Sequence, residues 1–158
     1  MSEEIERKFL VKEMPNLDGF KPLSYERYFL FKNRFVEIRV QKRGDIYEFE
    51  RKENQNNLST KKIKFEISRD EFLKLKENSV NFIRRKSYII SKNPSITIKV
   101  YDEKHCDLRR IEVEFDSELD AEKFVPLKWF GKKITNSKLG RDSKLIDLSK
   151  EEILDLIQ

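Results

Sequence analysis

The stretch Glu4-Ile5-Glu6-Arg7-Lys8 lies in the first strand that the sequence predicts, over residues 3–11. Its charged residues alternate with other side chains, and successive side chains of a strand point to opposite faces. Glu4, Glu6 and Lys8 therefore share one charged face. The same alternation recurs along the chain. It predicts further strands over 25–31, 35–42, 46–52, 60–67, 82–91, 95–101 and 108–116.

Turn and helix signals separate these strands. The residues Lys42-Arg43-Gly44-Asp45 predict a hairpin turn, and Gln55-Asn56-Asn57 predicts a loop. Capping boxes at Ser68 to Glu71 and at Ser149 to Glu152 predict helices that begin there, and Ser117 can cap a shorter helix. The sequence thus predicts an α+β protein with about eight strands and three helices.

The composition fits a single domain over residues 1–158. Charged residues make up 40% of the chain and hydrophobic residues 37%, but 12 Phe and 5 Tyr argue against disorder. A net charge of +5, from 34 Lys and Arg against 29 Asp and Glu, weakly favours anionic partners. The basic residues are interleaved with acids and form no uniform stripe, so we predict no nucleic-acid partner.

Cysteine and histidine are too few for two common kinds of site. One Cys excludes an internal disulfide, and one Cys with one His cannot form a zinc-type cluster. The pair His105-Cys106 lies among acidic residues and predicts a solvated turn. No apolar run reaches membrane length and no signal peptide is recognisable, so a cytoplasmic protein without a membrane partner is expected.

Most predicted strands carry one charged and one apolar face. Two structures fit this pattern. An open sheet could rest its apolar face on a core and expose its charged face to water, which is the commoner arrangement. A closed barrel could instead turn its charged faces inward, and eight strands are enough to close one. The charged faces beyond the first strand contain Glu37 and Arg39; Glu48, Glu50 and Lys52; Lys62, Lys64 and Glu66; Arg85 and Ser87; Thr97 and Lys99; and Arg110, Glu112 and Glu114.

An inward-facing charged barrel would have a definite chemical use. Lys and Arg side chains bind phosphate oxygens, Lys as a point charge and Arg as a fork. Carboxylates repel phosphate unless a divalent ion lies between them, and Mg²⁺ is typically held by one or two carboxylates plus phosphate oxygens. Such an ion can activate water for attack on a terminal phosphorus atom.

The order of these segments resembles the CYTH, or triphosphate tunnel, family. Residues 4–8 match its E-x-E-x-K motif, and Val36-Glu37-Ile38-Arg39 resembles its R-x-R strand. Residues 83–88 and 111–115 are similar to its I-x-K-x-R-Y and E-V-E-F strands. The segment from Phe124 to Thr135 is similar to the one that closes the family's C-terminal region. The likeness covers nearly the whole chain, and its last two segments are the most specific.

The resemblance implies an eight-stranded antiparallel closed β-barrel, a triphosphate tunnel, with helices packed outside. It also implies a triphosphate ligand and a divalent metal, which we expect to be Mg²⁺ or Mn²⁺. By position, the metal ligands would be Glu4, Glu6, Glu66, Glu112 and Glu114. Phosphate would be bound by Lys8, Arg39, Lys52 and Arg85, to which we add Lys62, Lys64 and Arg110 from the same charged faces. The predicted catalytic residues are Glu4, Glu6 and Lys8.

Several positions depart from the family pattern. Glu37 replaces a basic residue, Ser87 replaces an arginine, and Lys99 replaces an acidic residue. We hypothesise that Glu37 and Lys99 form an exchanged ion pair across the lumen. Because Lys99 removes a carboxylate, the sequence leaves open whether one or two metal ions bind.

Three functions remain open at this stage. The first is metal-dependent hydrolysis of a triphosphate compound, most simply inorganic triphosphate. A class IV adenylate cyclase-like enzyme is the second, although no base-recognition site is visible. The third is a degenerate tunnel that binds nucleotide or polyphosphate without turnover, which the substitutions at 37, 87 and 99 favour. The expected partner is a triphosphate-containing small molecule, and the protein is expected to be a monomer or a homodimer.

Overall fold

The computed structural model of this protein describes residues 2–55 and 59–158, so residues 56 and 57 of the predicted loop lie outside the described residues. The strands are β1 (Ser2–Val11), β2 (Leu23–Lys32), β3 (Val36–Arg43), β4 (Ile46–Asn54), β5 (Ser59–Ile67), β6 (Asn81–Lys92), β7 (Ser95–Tyr101), β8 (Arg109–Phe115) and β9 (Phe130–Lys133). The helices are α1 (Arg69–Lys76), α2 (Glu118–Lys123), α3 (Asp142–Leu145) and α4 (Lys150–Ile157). None of these helices is long and apolar enough to cross a membrane.

Eight antiparallel strands close into a barrel. The hydrogen-bonded order is β5-β4-β3-β2-β6-β7-β8-β1, and β1 returns to pair with β5 through Ser2↔Lys62 to Ile5↔Ser59. The predicted closed barrel with outer helices is therefore confirmed. A ninth strand, β9, was not predicted. It has four residues and extends the sheet along β1, where Val11 pairs with Phe130.

The apolar faces of the barrel point outward, and outer clusters cover much of them, while Ile63 and Phe65 on β5 stay exposed. One outer cluster is built on Phe9, Ile98 and Ile111, and Trp129 packs against it together with Phe130. On the opposite side, α1 begins at the predicted Ser68–Glu71 capping box and buries Phe72 against Tyr28 and Val40. The apolar side chains thus stabilise the barrel from outside and leave its interior to the charged faces.

The C-terminal segment closes one end of the barrel. Leu10, Phe29, Ile83 and Tyr101 continue the inward-facing rows of their strands, and they are almost fully buried. They form one apolar cluster with side chains that come from α3, α4 and their connections. The contributing residues are Leu139, Leu145, Ile146, Leu148 and Ile153. The interior is therefore a cavity that ends on an apolar plug.

His105 connects this plug to the barrel, and the prediction of a solvated turn at His105-Cys106 is wrong for His105. The turn exists, as a 3₁₀ turn over Glu103–His105, but His105 is 2% exposed while Cys106 is exposed. His105 Nε2 lies 3.3 Å from the carbonyl oxygen of Leu145, and its ring packs on Tyr101. Among the described residues Nδ1 has no hydrogen-bond partner. The sequence around His105 gives no sign of this burial, because the residue that contacts its ring nitrogen lies 40 residues away.

The burial of His105 predicts a pH-dependent stability. Burial lowers the pKa of His105 below its ordinary value of 6.5, with Lys104 adding to the effect and the Leu145 carbonyl opposing it. The unfolded chain then binds more protons than the folded protein as the pH falls below about 7, so stability decreases. Urea unfolding at pH 7.5 and 5.5 should show a smaller loss for His105→Gln than for the wild type. An equal loss in both proteins would contradict this role of His105.

Candidate functional site

The barrel encloses a charged cavity of about 230 Å³. All eight barrel strands and the C-terminal segment contribute side chains to its wall. Ten cationic and seven acidic side chains line it among the described residues. The cations are Lys8, Arg27, Arg39, Lys52, Lys62, Lys64, Arg85, Lys99, Arg110 and Arg141, and the acids are Glu4, Glu6, Glu37, Glu50, Glu112, Glu114 and Asp142. The charged faces therefore point inward, and the alternative of an open, solvated sheet is wrong.

The structure brings the predicted site residues together with one exception. The residues that line the cavity are Glu4, Glu6, Lys8, Arg39, Lys52, Lys62, Lys64, Arg85, Arg110, Glu112 and Glu114. Glu66 is exposed and does not line it, because β5 pairs Glu66 with Glu48 beyond the cavity wall. The roles that the sequence assigns to these side chains stay predictions.

Three of the predicted metal ligands form a compact group. Carboxylate oxygens of Glu4, Glu6 and Glu114 lie within 4.8 Å of one another. Glu6 and Glu114 face each other in the register of β1 and β8, and Glu4 is the next inward residue of β1. We call these three residues the carboxylate trio.

Nearby cations neutralise the three carboxylates of the trio to different degrees. Burial would raise the pKa of Glu4, but Lys52 and Lys62 outweigh it and lower that pKa to about 2. The pKa of Glu114 moves the other way: burial raises it above 4.5, and the negative charges of Glu4 and Glu6 add to the rise. Repulsion among the carboxylates is therefore only partly relieved by the protein's own cations.

Lysines contact the trio from the same cavity. Lys52 Nζ lies 3.1 Å from a Glu4 oxygen, and Lys62 forms a second ion pair with Glu4. Lys8 Nζ lies 3.2 Å from Glu6 and donates a hydrogen bond of 2.6 Å to the carbonyl of Gly140. Each of these ammonium groups also borders the cavity, so it is placed to contact an anion there.

Glu112 lies outside the trio. Its carboxylate is 2.7 Å from Lys99 Nζ and 2.7 Å from Arg110 Nη2. Burial raises the pKa of Glu112, but Lys99 and Arg110 lower it well below its ordinary value. The structure thus engages this predicted metal ligand with two cations.

The hypothesis of a Glu37–Lys99 pair is wrong. Glu37 accepts a hydrogen bond of 2.7 Å from Arg39, whereas Lys99 pairs with Glu112. Arg39 is 1% exposed and forms a second ion pair, with Glu50. Glu37 pairs within its own strand and Lys99 pairs with the adjacent strand, so neither residue pairs with the other across the lumen.

Sequence reasoning missed the inner end of the cavity. Arg27, Tyr101 and Asp142 meet there, and Asp142 is 4% exposed. Arg27 and Tyr101 could have been found by extending the inward rows of β2 and β7. Asp142 lies beyond the last barrel strand, so strand alternation gave no signal for it.

Comparison with known proteins gives a curated relative and solved structures of similar fold. No family model matches the chain. The inorganic triphosphatase of Nitrosomonas europaea is 28% identical over 145 residues, which cover 90% of this chain and 95% of the relative. A crystal structure of an inorganic triphosphatase superposes with a TM-score of 0.67 at 25% identity, covering 92% of this chain and 95% of the other.

A more distant structure agrees in fold. The crystal structure of a proposed adenylate cyclase from Bacillus halodurans matches with a TM-score of 0.57 at 19% identity, covering 77% of this chain and 86% of that one. This likeness concerns the fold alone. Together with the closed barrel and its inward charges, these similarities fit the CYTH, or triphosphate tunnel, family that the sequence resembles.

Proposed function

We propose that this protein hydrolyses a triphosphate compound inside the barrel with the help of a divalent metal ion, and that inorganic triphosphate is the simplest substrate. The observation that carries the proposal is the placement of the carboxylate trio and a ring of Lys and Arg side chains in one cavity. The name that the curated relative and the similar crystal structure share, inorganic triphosphatase, supports the same reaction. The scissile bond joins the terminal phosphorus to its bridging oxygen, and water replaces that oxygen to give phosphate and diphosphate.

The excess of positive charge in the cavity suits the substrate. Ten cations against seven acids leave a net attraction for an anion. We assign phosphate binding to Lys8, Arg39, Lys52, Lys62, Lys64 and Arg85, as the sequence predicts. Lys8, Lys52 and Lys62 lie closest to the trio, so they would hold the phosphate oxygens that are nearest the metal. Arg110, held by Glu112, would act farther inside.

The trio fits a hard divalent ion. Glu4, Glu6 and Glu114 offer only oxygen donors, which suit Mg²⁺ or Mn²⁺. Burial, followed by the negative charges of Glu4 and Glu6, raises the pKa of Glu114, and a bound cation would offset this rise. Glu4, Glu6 and Glu114 would hold such an ion, which would supply stabilisation of phosphate charge and a water molecule of lowered pKa. Lys99 and Arg110 already pair with Glu112. We therefore infer that a single metal ion binds at the trio and that no second ion binds at Glu112.

A second candidate function is binding without turnover. The observation that favours it is the same engagement of Glu112, which leaves three carboxylates for metal. Under either function the expected partner is a triphosphate-containing small molecule. The cytoplasmic location and the monomeric or homodimeric state stay predictions.

The metal site predicts different effects for two glutamates. Glu114→Gln should weaken Mn²⁺ binding by about tenfold or more, because it removes a charged oxygen donor. Glu66→Gln is the matched control, since Glu66 is the predicted ligand that lies outside the cavity wall. Isothermal titration calorimetry with Mn²⁺ alone measures both. Mn²⁺ binding by Glu114→Gln as tight as that of the wild type would exclude Glu114 as a ligand, and weaker binding by Glu66→Gln would show that the effect is not specific to the trio.

A substrate panel tests the reaction itself. With Mg²⁺ or Mn²⁺, the wild type should release phosphate from inorganic triphosphate faster than from ATP or thiamine triphosphate, and form no cyclic AMP. Lys52→Met should reduce the rate by about a hundredfold, because it removes a cation next to the trio while keeping the side chain's length. Cyclic AMP from ATP would favour the cyclase, and tight triphosphate binding without phosphate release would favour the binding module.

A further inference from the structure

One carboxylate at the inner end of the cavity collects four donors. Asp142 Oδ1 accepts hydrogen bonds of 2.6 Å from the Tyr101 hydroxyl and 3.0 Å from Arg110 Nη2. Its other oxygen, Oδ2, accepts from Arg27 Nη1 at 3.2 Å and from Arg85 Nε at 3.4 Å. These four donors belong to four consecutive strands of the barrel, β2, β6, β7 and β8.

The donors form an anion site by their chemistry. Three guanidinium groups and a hydroxyl converge on two oxygens, as they would on two oxygens of a phosphate group. Burial raises the pKa of Asp142, but Arg110, Arg85 and Arg27 lower it well below its ordinary range. The carboxylate is therefore ionised, and it satisfies the donors that a phosphate would otherwise use.

The position of Asp142 sets where the cavity ends. On one side lies the apolar plug, to which Tyr101 and Leu145 belong. On the other side the cavity continues to the carboxylate trio, past Lys8 and Lys99. Asp142 is 4% exposed and reaches this place from the first residue of α3. A phosphate chain that enters from the trio would therefore meet the fixed negative charge of Asp142 where it approached Arg27, Arg85 and Arg110.

We propose that Asp142 determines specificity by occupying the innermost anion subsite, so that it limits the length of the phosphate chain that the cavity accepts. This inference rests on the proposed function, because it assumes that a phosphate chain lies between the trio and Asp142. The subsite takes the same chemical group as the rest of the cavity, a phosphate, but the protein fills it with its own carboxylate. Chains longer than triphosphate are then disfavoured by like-charge contact.

The test compares two chain lengths in binding, without turnover. Isothermal titration calorimetry measures inorganic triphosphate and linear tetraphosphate against the wild type, Asp142→Asn and Asp147→Asn, with no metal added. The wild type should bind tetraphosphate at least about tenfold more weakly than triphosphate, and Asp142→Asn should remove or reverse that difference. Asp147→Asn is the control, because Asp147 lies in the same segment but is exposed and pairs with Lys32.

Each outcome decides the inference. Equal preference in the wild type and Asp142→Asn, or no binding of either compound by both proteins, overturns it. If Asp142→Asn fails to fold, Arg27→Gln/Asp142→Asn, which removes one of the three arginines as well, takes its place. The wild type alone also decides: tetraphosphate binding as tight as triphosphate binding overturns the inference. If Asp142→Asn shifts the preference in calorimetry but the wild type releases no phosphate in the substrate panel with Mg²⁺ or Mn²⁺, this inference stands and the proposed hydrolysis is refuted.

Discussion

Charges that a closed barrel turns inward must be paired, because an isolated ion loses its hydration there and gains little in return. The rest of this structure depends on that constraint. Arg39 of β3 pairs with Glu50, which faces it directly on β4, and Lys99 of β7 pairs with Glu112 of the adjacent β8. Removing one partner of such a buried pair typically costs about 3–5 kcal/mol. The opposite charges that neighbouring strands bring together are therefore a condition for the barrel to close.

Closure also required something to fill the end of the barrel. The inward rows change from charged to apolar toward one end, where Leu10, Ile83 and Tyr101 follow Lys8, Arg85 and Lys99 on the same faces. An apolar opening of this kind is unstable in water. The C-terminal segment covers it with Leu145 and Ile153, and in doing so it carries Asp142 to the arginines. The plug and the inner wall of the site are thus one structure.

Local alternation explains why much of this could be predicted. A period of two residues identified all eight barrel strands and put Glu4, Glu112 and Arg39 on charged faces. The direction of those faces could not be derived from alternation, since an open sheet has the same pattern, and only the family resemblance favoured the barrel. Features set by distant segments were missed or wrong: the burial of His105, the short β9, and the Glu37–Lys99 pair, which fails because each residue meets an opposite charge closer by.

Two places in the cavity crowd charges of one sign, and they differ in how the crowding is relieved. At the inner end, three arginines share the carboxylate of Asp142, so the chain itself supplies the missing anion. At the trio, Lys52 and Lys62 both compensate Glu4, while Glu114 keeps a raised pKa beside two other carboxylates. Electrostatic relief for the trio must therefore come from protons or from a cation in solution. The cavity satisfies its own anion site and leaves the trio under-compensated, which supports the proposed metal site at one end and the proposed stop for a phosphate chain at the other.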